Sequence, residues 1–328
     1  MTAPARHLPV LLAEVVAVLE PARGGVFVDA TYGAGGYAAA LLEAGAGRVV
    51  GVDRDPDAVA EAAPAVAAAH GRLTVVQGRF GDLSGLAAAN DAAPADGVAF
   101  DFGVSSMQLD RAERGFSFLR DGPLDMRMEA TGPSAADFVN TAEEAAIRDV
   151  LFRLGEEPRA RRIAKAIVAA RASAPLVRTS DLVDCIVGAV GRRPQDRIHP
   201  ATRAFQAIRM HVNDELGEIA RGLVAAEAIL RPGGRLAVVT FHSLEDRLVK
   251  RFLQRRAGKG AGPSRHDPAA LADAGPAPSF RLLNRRPTTP GAAETDANAR
   301  ARSAKLRAAE RLDAPAFDPA DDFGSLAA

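Results

Sequence analysis

The segment Val26-Phe-Val-Asp29-Ala-Thr-Tyr-Gly33-Ala-Gly-Gly-Tyr37 joins a short apolar run to a turn that contains three glycines. Its β-branched residues are typical of a buried strand in a parallel sheet, and the alanine-rich stretch 38–44 predicts a helix. Glycines between a strand and a helix let a ligand approach bare backbone, because no Cβ blocks the way. We therefore predict a nucleotide-type ligand at the carboxyl edge of the sheet.

The spacing of the glycines indicates which nucleotide binds. A dinucleotide fingerprint has Gly-x-Gly-x-x-Gly directly after the strand, whereas here Asp29 closes the strand and glycines follow at 33, 35 and 36. An acidic residue before a Gly-x-Gly turn is typical of S-adenosylmethionine sites, since this cofactor has an amino-acid tail and no pyrophosphate. Asp53 ends a second apolar run 20 residues after Gly33, as expected of a carboxylate that binds ribose hydroxyls. The alternative is a turn that only connects strand and helix.

Composition limits the classes of function. The 328 residues include 41 basic and 41 acidic side chains, so any surface for nucleic acid must be local rather than a property of the whole chain. The single cysteine, Cys185, excludes an internal disulfide framework and suits a reducing compartment. There is no apolar run near the length of a membrane span and no signal peptide, which predicts a cytoplasmic protein without a membrane partner.

The order of predicted elements indicates one sheet interrupted by an insertion. Strands at 26–29, 48–53, 73–77 and 97–102 alternate with helical stretches, which predicts an α/β Rossmann-like fold with right-handed crossovers. The sheet pattern resumes with a helix over 216–230, a Pro-Gly-Gly turn and a strand over 235–240. We predict a discontinuous cofactor domain (1–104 and 214–312), an inserted helical domain for substrate recognition (105–213), a mobile loop (257–279) and a flexible tail (313–328).

Several further stretches contain more polar and special residues than packing requires. They are Asp101-Phe-Gly-Val-Ser-Ser-Met-Gln-Leu-Asp110, Arg114-Gly-Phe-Ser-Phe118, Leu124-Asp-Met-Arg-Met128, His199-Pro-Ala-Thr-Arg-Ala-Phe-Gln206 and Phe241-His-Ser-Leu-Glu-Asp-Arg-Leu-Val-Lys250.

Together with the first segment, His7-Leu-Pro-Val-Leu-Leu12 and Arg300–Arg307, these stretches resemble the MraW/RsmH family in order and over almost the whole chain. That family comprises class I methyltransferases that use S-adenosylmethionine to methylate N4 of a cytosine in the decoding region of small-subunit (16S) ribosomal RNA. Two positions depart from the family pattern: Tyr37 stands where a histidine is usual, and Phe102 replaces a leucine.

The resemblance implies a cofactor site, and the chemistry of several residues agrees with it. Phe80 follows the third strand, where a ring can stack on adenine, although packing in the core is the alternative. Asp101 ends the fourth strand beside the expected switch point of the sheet. The implied cofactor-binding residues are Gly33, Ala34, Gly35, Gly36, Tyr37, Asp53, Phe80, Asp101 and Gln108.

Asp101 is also the first catalytic candidate, followed by His242 and Ser243 after the next strand. The exocyclic amine of cytosine is a poor nucleophile, because its lone pair is delocalised into the ring. A carboxylate that accepts an N–H bond can align that lone pair and take up charge as the methyl group arrives. Cys185 lies in a predicted helix of the insertion, which disfavours the cysteine-nucleophile mechanism of carbon-5 methylation.

The predicted partner is small-subunit ribosomal RNA, within the assembled or assembling subunit. A target base must leave its stack to be methylated, and local arginines and aromatic rings would then bind RNA. We predict this role for Arg114, Phe116, Arg127 and Arg203. The basic residues of the run 300–307 are further candidates, but the sequence alone favours a solvated amphipathic face for them. No metal is indicated, since the histidines lack ligand spacing. Naked RNA as substrate and a homodimer are left open.

Three other functions compete with this one. DNA amino-methyltransferases usually have Asn/Asp/Ser-Pro-Pro-Tyr/Phe after the fourth strand, and Asp101-Phe-Gly-Val stands here instead. A non-catalytic RNA-binding or ribosome-assembly factor would not need the intact Gly33, Gly35 and Asp53. The glycine spacing disfavours a nucleotide-dependent oxidoreductase. Binding of S-adenosylmethionine distinguishes an enzyme from an assembly factor.

Overall fold

The computed structural model describes residues 9–192, 198–259 and 276–318. Contacts divide the chain into two compact units, one formed by the chain up to Gly103 and from Leu216 onward, and one by Val104–Glu215. The domain boundaries expected from the sequence were 104/105 and 213/214. His7, residues 260–275 of the predicted mobile loop and residues 319–328 of the predicted tail lie outside the described residues.

The first unit is built on a mostly parallel sheet that has seven strands within the described residues, in the order β3-β2-β1-β4-β5-β7-β6. The first five run parallel, and β7 is antiparallel to both of its neighbours. This confirms the predicted fold class, a Rossmann-like parallel sheet with helices inserted between β4 and β5. The strands are β1 (Val26–Asp29), β2 (Arg48–Asp53), β3 (Leu73–Gln77), β4 (Ala95–Asp101), β5 (Leu230–Thr240), β6 (Phe280–Leu282) and β7 (Lys305–Arg311).

Helices flank this sheet because successive strand residues point to opposite faces. Val28 and Val98 belong to one apolar core, whereas Phe27 and Ala99 belong to a second core on the other face. The helices are α1 (Leu12–Leu19), α2 (Gly36–Glu43), α3 (Pro56–Glu61), α4 (Ala63–Ala68), α5 (Leu83–Ala89), α12 (Glu215–Ile229), α13 (Ser243–Arg256) and α14 (Ala292–Ala297).

The carboxyl ends of β1, β2 and β4 meet at the switch point of the sheet. The chain leaves β1 toward β2 and β3 on one side, and continues with β4 and β5 on the other side. Asp29 is paired with Gly51 and with Ala99, so Asp53 and Asp101 each lie two residues further along their strands. Three acidic side chains therefore end three adjacent strands at the position where open α/β sheets bind ligands.

The start of β5 differs from the prediction of a Pro-Gly-Gly turn followed by a strand from Arg235. The strand begins at Leu230, and its pairing with β4 shifts from Ala95–Leu230 to Gly97–Arg235. Residues 231–234 therefore bulge from the ladder, which accommodates Pro232 because proline has no N–H group to donate. A turn pattern alone does not distinguish a bulge from the connection between a helix and a strand.

The second unit is helical. Its core is formed by buried aliphatic side chains such as Ile147, Ile163, Leu182 and Ile208, each on a different helix. Cys185 is half-buried on one of these helices. The helices are α6 (Ser106–Asp110), α7 (Ala135–Thr141), α8 (Glu144–Arg153), α9 (Ala160–Arg171), α10 (Thr179–Val190) and α11 (Thr202–Val212).

A buried ion pair fixes the last strands of the first unit. Arg256 Nε donates to Glu227 Oε2 at 2.8 Å, and both side chains are fully buried. The Ser279 hydroxyl and the Phe317 backbone N–H donate to the other oxygen of the same carboxylate. The Arg256 guanidinium also lies over the Phe252 and Phe317 rings, with 4.5 and 4.4 Å to their centroids. Glu227 therefore joins α12, α13 and the segment that follows β7.

Replacement of Glu227 by alanine is expected to lower the free energy of unfolding by about 3–5 kcal/mol, because it removes the carboxylate that neutralises buried Arg256. Glu43→Ala is the control: Glu43 is exposed at the end of α2, and its loss should change stability by about 0.5 kcal/mol or less. Urea denaturation measures both. Equal stability of the two variants would show that the buried pair contributes nothing.

Candidate active site

Asp29 organises the glycine-rich turn. Its buried carboxylate accepts the Thr31 N–H at Oδ1 (3.3 Å) and the Ala38 N–H at Oδ2 (3.2 Å). Gly35 has φ of 75° and caps α2, a left-handed conformation that favours glycine. A Cβ at Gly35 would lie 2.5 Å from the Tyr32 hydroxyl oxygen, so the turn has no room for a side chain there. The sequence marked Asp29 as the acidic residue that closes the strand before the turn, but did not include it among the predicted cofactor-binding residues.

Asp53 holds the other side of the turn. Its Oδ2 accepts the Gly33 N–H at 2.7 Å, and its Oδ1 accepts the Asp55 N–H at 2.8 Å. Burial raises the pKa of this carboxyl, although both backbone hydrogen bonds oppose the shift. Each carboxylate oxygen has a second lone pair, so Asp53 is still able to accept hydrogen bonds from a ligand's hydroxyl groups.

Asp101 has an unsatisfied carboxyl oxygen. Its backbone N–H donates to Thr31 Oγ1 at 2.7 Å, which connects the end of β4 to the turn after β1. Its Oδ1 atom is buried and has no hydrogen-bond partner within the described residues. Burial raises the pKa of Asp101 well above its usual value, and the charges of Asp29 and Glu245 raise it further. A buried polar atom without a partner is costly unless a ligand supplies the partner.

The carboxyl groups at the strand ends influence one another. Burial raises the pKa of Asp29 to about 7, and the charge of Asp53 contributes in the same direction despite two opposing backbone hydrogen bonds. Asp29 in turn raises the pKa of Asp101. Like charges that are buried together disfavour ionisation of each other, and a nearby positive charge relieves them. The edge of the sheet is therefore complementary to a positively charged ligand.

Phe80 lies just past β3 and is half-buried. Its ring packs edge-on against Phe100, with centroids 5.9 Å apart at 82°, and is tilted against Phe102 at 5.7 Å. Both neighbours belong to the core of the first unit. The ring therefore contributes to packing, as the alternative interpretation held, while the exposed part of its surface is still available to a planar ligand group. Its contact with a cofactor stays a prediction.

His242 caps the N-terminus of α13. Its Nδ1 accepts the Glu245 N–H at 3.5 Å, and Glu245 Oε2 accepts the Phe241 N–H at 2.7 Å. The His242 Nε2 atom lies 2.8 Å from Glu245 Oε1, but the pair is not aligned as a hydrogen bond. Ser243 is exposed as the first residue of the helix. These contacts give His242 a structural role, and its catalytic role and that of Ser243 stay predictions.

The acidic residues after His242 form a capping and salt-bridge cluster at the start of α13. Glu245 is fully buried. Asp246 accepts hydrogen bonds from Lys305 Nζ at 3.0 Å and Arg307 Nε at 2.7 Å. Burial favours a higher pKa for Asp246, but these two cations lower it overall. Two members of the basic run 300–307 are therefore engaged in ion pairs within the first unit.

Tyr37, which replaces the usual histidine, fastens the N-terminal segment to α2. Its ring is buried, and its hydroxyl donates to the Val10 carbonyl. The Leu11 N–H donates to Glu294 Oε1 at 2.7 Å, and a Cβ at Gly36 would overlap Pro9. Burial raises the pKa of Tyr37 well above its usual value, with Asp101 and Asp29 adding to the shift. The hydroxyl proton is thus already engaged in a hydrogen bond within the protein.

Gln108, the remaining predicted cofactor residue, belongs to the second unit. Its side-chain Oε1 accepts the Ser105 N–H at 3.1 Å, and its own N–H donates to Ser105 Oγ at 3.2 Å. This reciprocal pair is a capping box at the start of α6. Its contact with a cofactor stays a prediction.

Two of the four predicted RNA-binding residues stabilise a loop of the second unit. Arg127 forms a bidentate pair with Asp125, with Nε–Oδ1 at 2.8 Å and Nη2–Oδ2 at 2.7 Å, and its Nη1 donates to the Gly132 carbonyl at 3.0 Å. Arg114 Nη2 donates to the carbonyls of Arg127 and Met128 at 3.1 and 3.0 Å. These guanidinium groups hold backbone in place, which is a sufficient reason for their presence.

The other two RNA-binding candidates differ in exposure. Phe116 is only 6% exposed, so its ring is not presented to a base. The Arg114 guanidinium lies 5.8 Å from its centroid. Arg203 is exposed and donates from Nη1 to the Glu156 carbonyl at 3.2 Å. Of the four candidates, Arg203 is the one whose position best suits contact with a large ligand.

Comparison with known proteins identifies the family. A model of the MraW methylase family matches residues 4–312. The chain belongs to this family. Relatives named "Ribosomal RNA small subunit methyltransferase H" include one from Methylorubrum extorquens, 58% identical over 98% of this chain and 92% of its own length. Another, from Hyphomonas neptunium, is 57% identical over 98% of this chain and 93% of its own.

Membership of the MraW methylase family makes the chain a methyltransferase, and its methyl donor is S-adenosylmethionine. The residues fit this cofactor. The buried Asp101 Oδ1 has no partner in the described part of the chain, and the turn at Gly33–Gly36 exposes backbone. The neighbouring buried carboxyl groups suit a molecule that carries a sulfonium and an ammonium group.

None of the helices in the described ranges is long and apolar enough to cross a membrane.

We expect Asp29→Asn to reveal the cost of the buried carboxyl group. Because the pKa of Asp29 is about 7 in the folded protein and 3.8 in the unfolded chain, the folded state holds an extra proton between these values. The wild type therefore loses stability as pH rises from 4 to 7, and the full cost remains above pH 7. The stability of the variant relative to wild type should increase by about 2–4 kcal/mol between pH 4 and pH 8.

Urea denaturation of protein freed of cofactor, at both pH values, measures this difference. The comparison between the two pH values removes the pH-independent cost of the backbone acceptor that asparagine lacks. A difference between variant and wild type that does not change with pH would show that Asp29 titrates normally in the folded protein.

Tyr37→Phe tests the role of the substituted position. Loss of the bond to the Val10 carbonyl should destabilise the protein by about 1 kcal/mol. The dissociation constant for S-adenosylmethionine should change by about threefold or less, because the hydroxyl group donates its hydrogen bond to the protein and not to the cofactor. Thermal melting and titration calorimetry measure the two effects. A tenfold or greater loss of affinity at unchanged stability would instead place the hydroxyl on the cofactor.

Proposed function

We propose that this chain transfers the methyl group of S-adenosylmethionine to N4 of a specific cytidine in the decoding region of small-subunit (16S) ribosomal RNA. Ribosomal RNA as the substrate class is supported by the names of relatives that are 55–58% identical over nearly the whole chain. The choice of N4 and of the decoding region rests on the motif resemblance and on the chemistry of Asp101.

The observation that carries the proposal is the buried, unpartnered Oδ1 of Asp101 at the carboxyl end of β4. An exocyclic amine has N–H groups that need an acceptor when the base enters a dry site. A carboxylate that accepts one of them favours the geometry in which the nitrogen lone pair leaves the ring plane and faces the methyl donor. Asp101 is suited to this position, since its free oxygen would gain the hydrogen bond that it lacks.

Ionised Asp101 is needed for this role. When bound, S-adenosylmethionine supplies an electrophilic methyl group on a positively charged sulfur. Asp101 loses its proton more readily beside a positive charge, which offsets the effects of burial, Asp29 and Glu245. A carboxylate whose pKa is raised is also a stronger base than an exposed one. Asp101 is therefore able to receive the proton that the amine loses after methylation.

The remaining site residues position the reactants in this proposal. The Gly33–Gly36 turn allows close approach to the backbone, Asp53 binds the ribose hydroxyls, and Phe80 packs beside the adenine. Most of the rate enhancement comes from alignment of nitrogen, methyl carbon and sulfur. We propose that the unit Val104–Glu215 recognises the RNA, within an assembled or assembling small subunit.

Methyl transfer from labelled S-adenosylmethionine to small subunits from a strain without this modification tests the proposal. Digestion to nucleosides should give N4-methylcytidine at a single site. Label in another nucleoside would contradict the proposed atom, and label in other RNA would contradict the proposed substrate.

Asp101→Asn should lower the rate of this transfer by about 10²–10⁴, since asparagine keeps the shape but does not take up a proton. Asp91→Asn is the matched control, because Asp91 is exposed with φ of 50° and asparagine tolerates that conformation equally well. The control should be as active as wild type. Comparable activity of both variants would remove Asp101 from the mechanism.

A further inference from the structure

One end of the second unit gathers four helix termini. Helix α8 ends at Arg153 and α9 begins at Ala160, so a short connection keeps these two ends together. Arg159 Nη1 donates to the Val190 carbonyl at 3.5 Å, which brings in the end of α10. Arg203 Nη1 donates to the Glu156 carbonyl at 3.2 Å, which brings in the start of α11.

The exposed cations at this end have no acidic partners in the described part of the unit. We use the name basic end for Arg153, Arg161, Arg162, Lys165 and Arg192, all of which are exposed. Within the described residues of this unit, none of these five side chains has a hydrogen bond or an ion pair. The other arginines of the unit that are described all have partners; Arg127, Arg148, Arg178 and Arg209, for example, pair with carboxylates.

These charges do not serve the stability of helix α9. The helix has no acidic residue in its first turn, and Arg161 and Arg162 lie there instead. The N-terminus of a helix carries a partial positive charge, so cations at this position are unfavourable and acidic side chains are favourable. Arg161 and Arg162 line a shallow groove of about 370 Å³, together with Pro158, Arg159 and Lys165. An arrangement that opposes the helix dipole indicates that the groove accepts a negatively charged partner.

An exposed aromatic side chain belongs to the same end of the unit, near the end of α8. Phe152 directly precedes Arg153 and is 64% exposed, although large apolar side chains are normally buried. Burial lowers the pKa of His199, and the charge of Arg192 lowers it further, which shows the positive potential at this end. Cations that neutralise phosphates beside an exposed ring on which an unpaired base stacks are the features of proteins that bind single-stranded RNA.

We propose that the basic end binds the phosphate backbone of an unpaired segment of the substrate RNA, with Phe152 stacking on one of its bases. This inference rests on the proposed function, which makes RNA the substrate. Because the acidic and basic residues of the whole chain are equal in number, long-range attraction to RNA has to come from such a local surface.

The double variant Arg161→Glu/Arg162→Glu tests this surface. Arg285→Glu/Arg286→Glu is the matched control, because these arginines are also consecutive and exposed, lie in the first unit and give the same change in net charge. Fluorescence anisotropy with an unstructured 30-nucleotide RNA probe, at several salt concentrations, measures binding. We expect the first pair to raise Kd about tenfold or more and to reduce the salt slope by about 0.7 for each phosphate that is no longer neutralised.

The control pair should change Kd by about twofold or less. Phe152→Ala should weaken binding about tenfold at every salt concentration, because stacking is not an ionic interaction. On small subunits, the first pair should raise KM and leave kcat and the affinity for S-adenosylmethionine unchanged. Its Tm should be equal to or above that of wild type, since glutamates are favourable in the first turn of α9.

Equal weakening of RNA binding by both arginine pairs, or unchanged RNA binding by the first pair, would overturn the inference. These results are distinguishable from failure of the proposed function. If wild type binds the RNA probe through the basic end but forms no N4-methylcytidine, the proposed reaction fails while the surface stands. If wild type methylates the subunits and the first pair has a normal KM and Kd, the surface fails while the reaction stands.

Discussion

The structure depends on the presence of buried carboxyl groups at the ends of three adjacent parallel strands. Asp29 is the centre of this arrangement, because its two oxygens hold the N–H groups of Thr31 and Ala38 and thereby fold the glycine turn. Asp53 fixes the same turn through Gly33. Ionised carboxylates are expensive to bury. Near neutral pH, the protein without its cofactor therefore retains protons that an exposed carboxyl group would already have released.

In the proposed site, this cost favours a cationic cofactor. A ligand with a positive charge lowers the pKa values of Asp29 and Asp101, so binding is linked to proton release and favoured by higher pH. A neutral or anionic nucleotide would gain nothing from these groups. Stability that is lost in the free protein is recovered on binding, since a ligand that binds only the folded state stabilises it. In the proposed site, electrostatics and the close approach that the turn allows therefore both favour S-adenosylmethionine.

What the sequence predicted well was local. The bounds of β2 and β3 match the prediction, because each is a short apolar run ended by a polar residue or a turn. The bulge in β5 was missed because it depends on pairing with β4. The full burial of Glu245 was not predicted, because it is a property of the fold and not of the helix that contains it. The hydroxyl partner of Tyr37, the Val10 carbonyl, is likewise 27 residues away in the chain.

The arginines of the second unit also show that contacts made by the fold cannot be predicted from the local sequence. The motifs pointed to Arg114 and Arg127, yet their guanidinium groups hold a loop. Arg161 and Arg162 belong to no motif, and their side chains have no partner among the described residues. A charged binding surface is identified by side chains that lack an oppositely charged partner, and only the fold reveals which side chains these are.

Phosphate contacts carry no sequence information in any case, so the choice of base must be made where methylation occurs. In the proposed reaction Asp101 makes part of that choice. Its carboxylate accepts an N–H bond, which cytosine and adenine donate from an exocyclic amine, whereas uracil presents a carbonyl oxygen at the same position and would face the carboxylate with a second acceptor. In that reaction, the buried Asp101 oxygen that lacks a partner in the free protein is also the group that disfavours uracil.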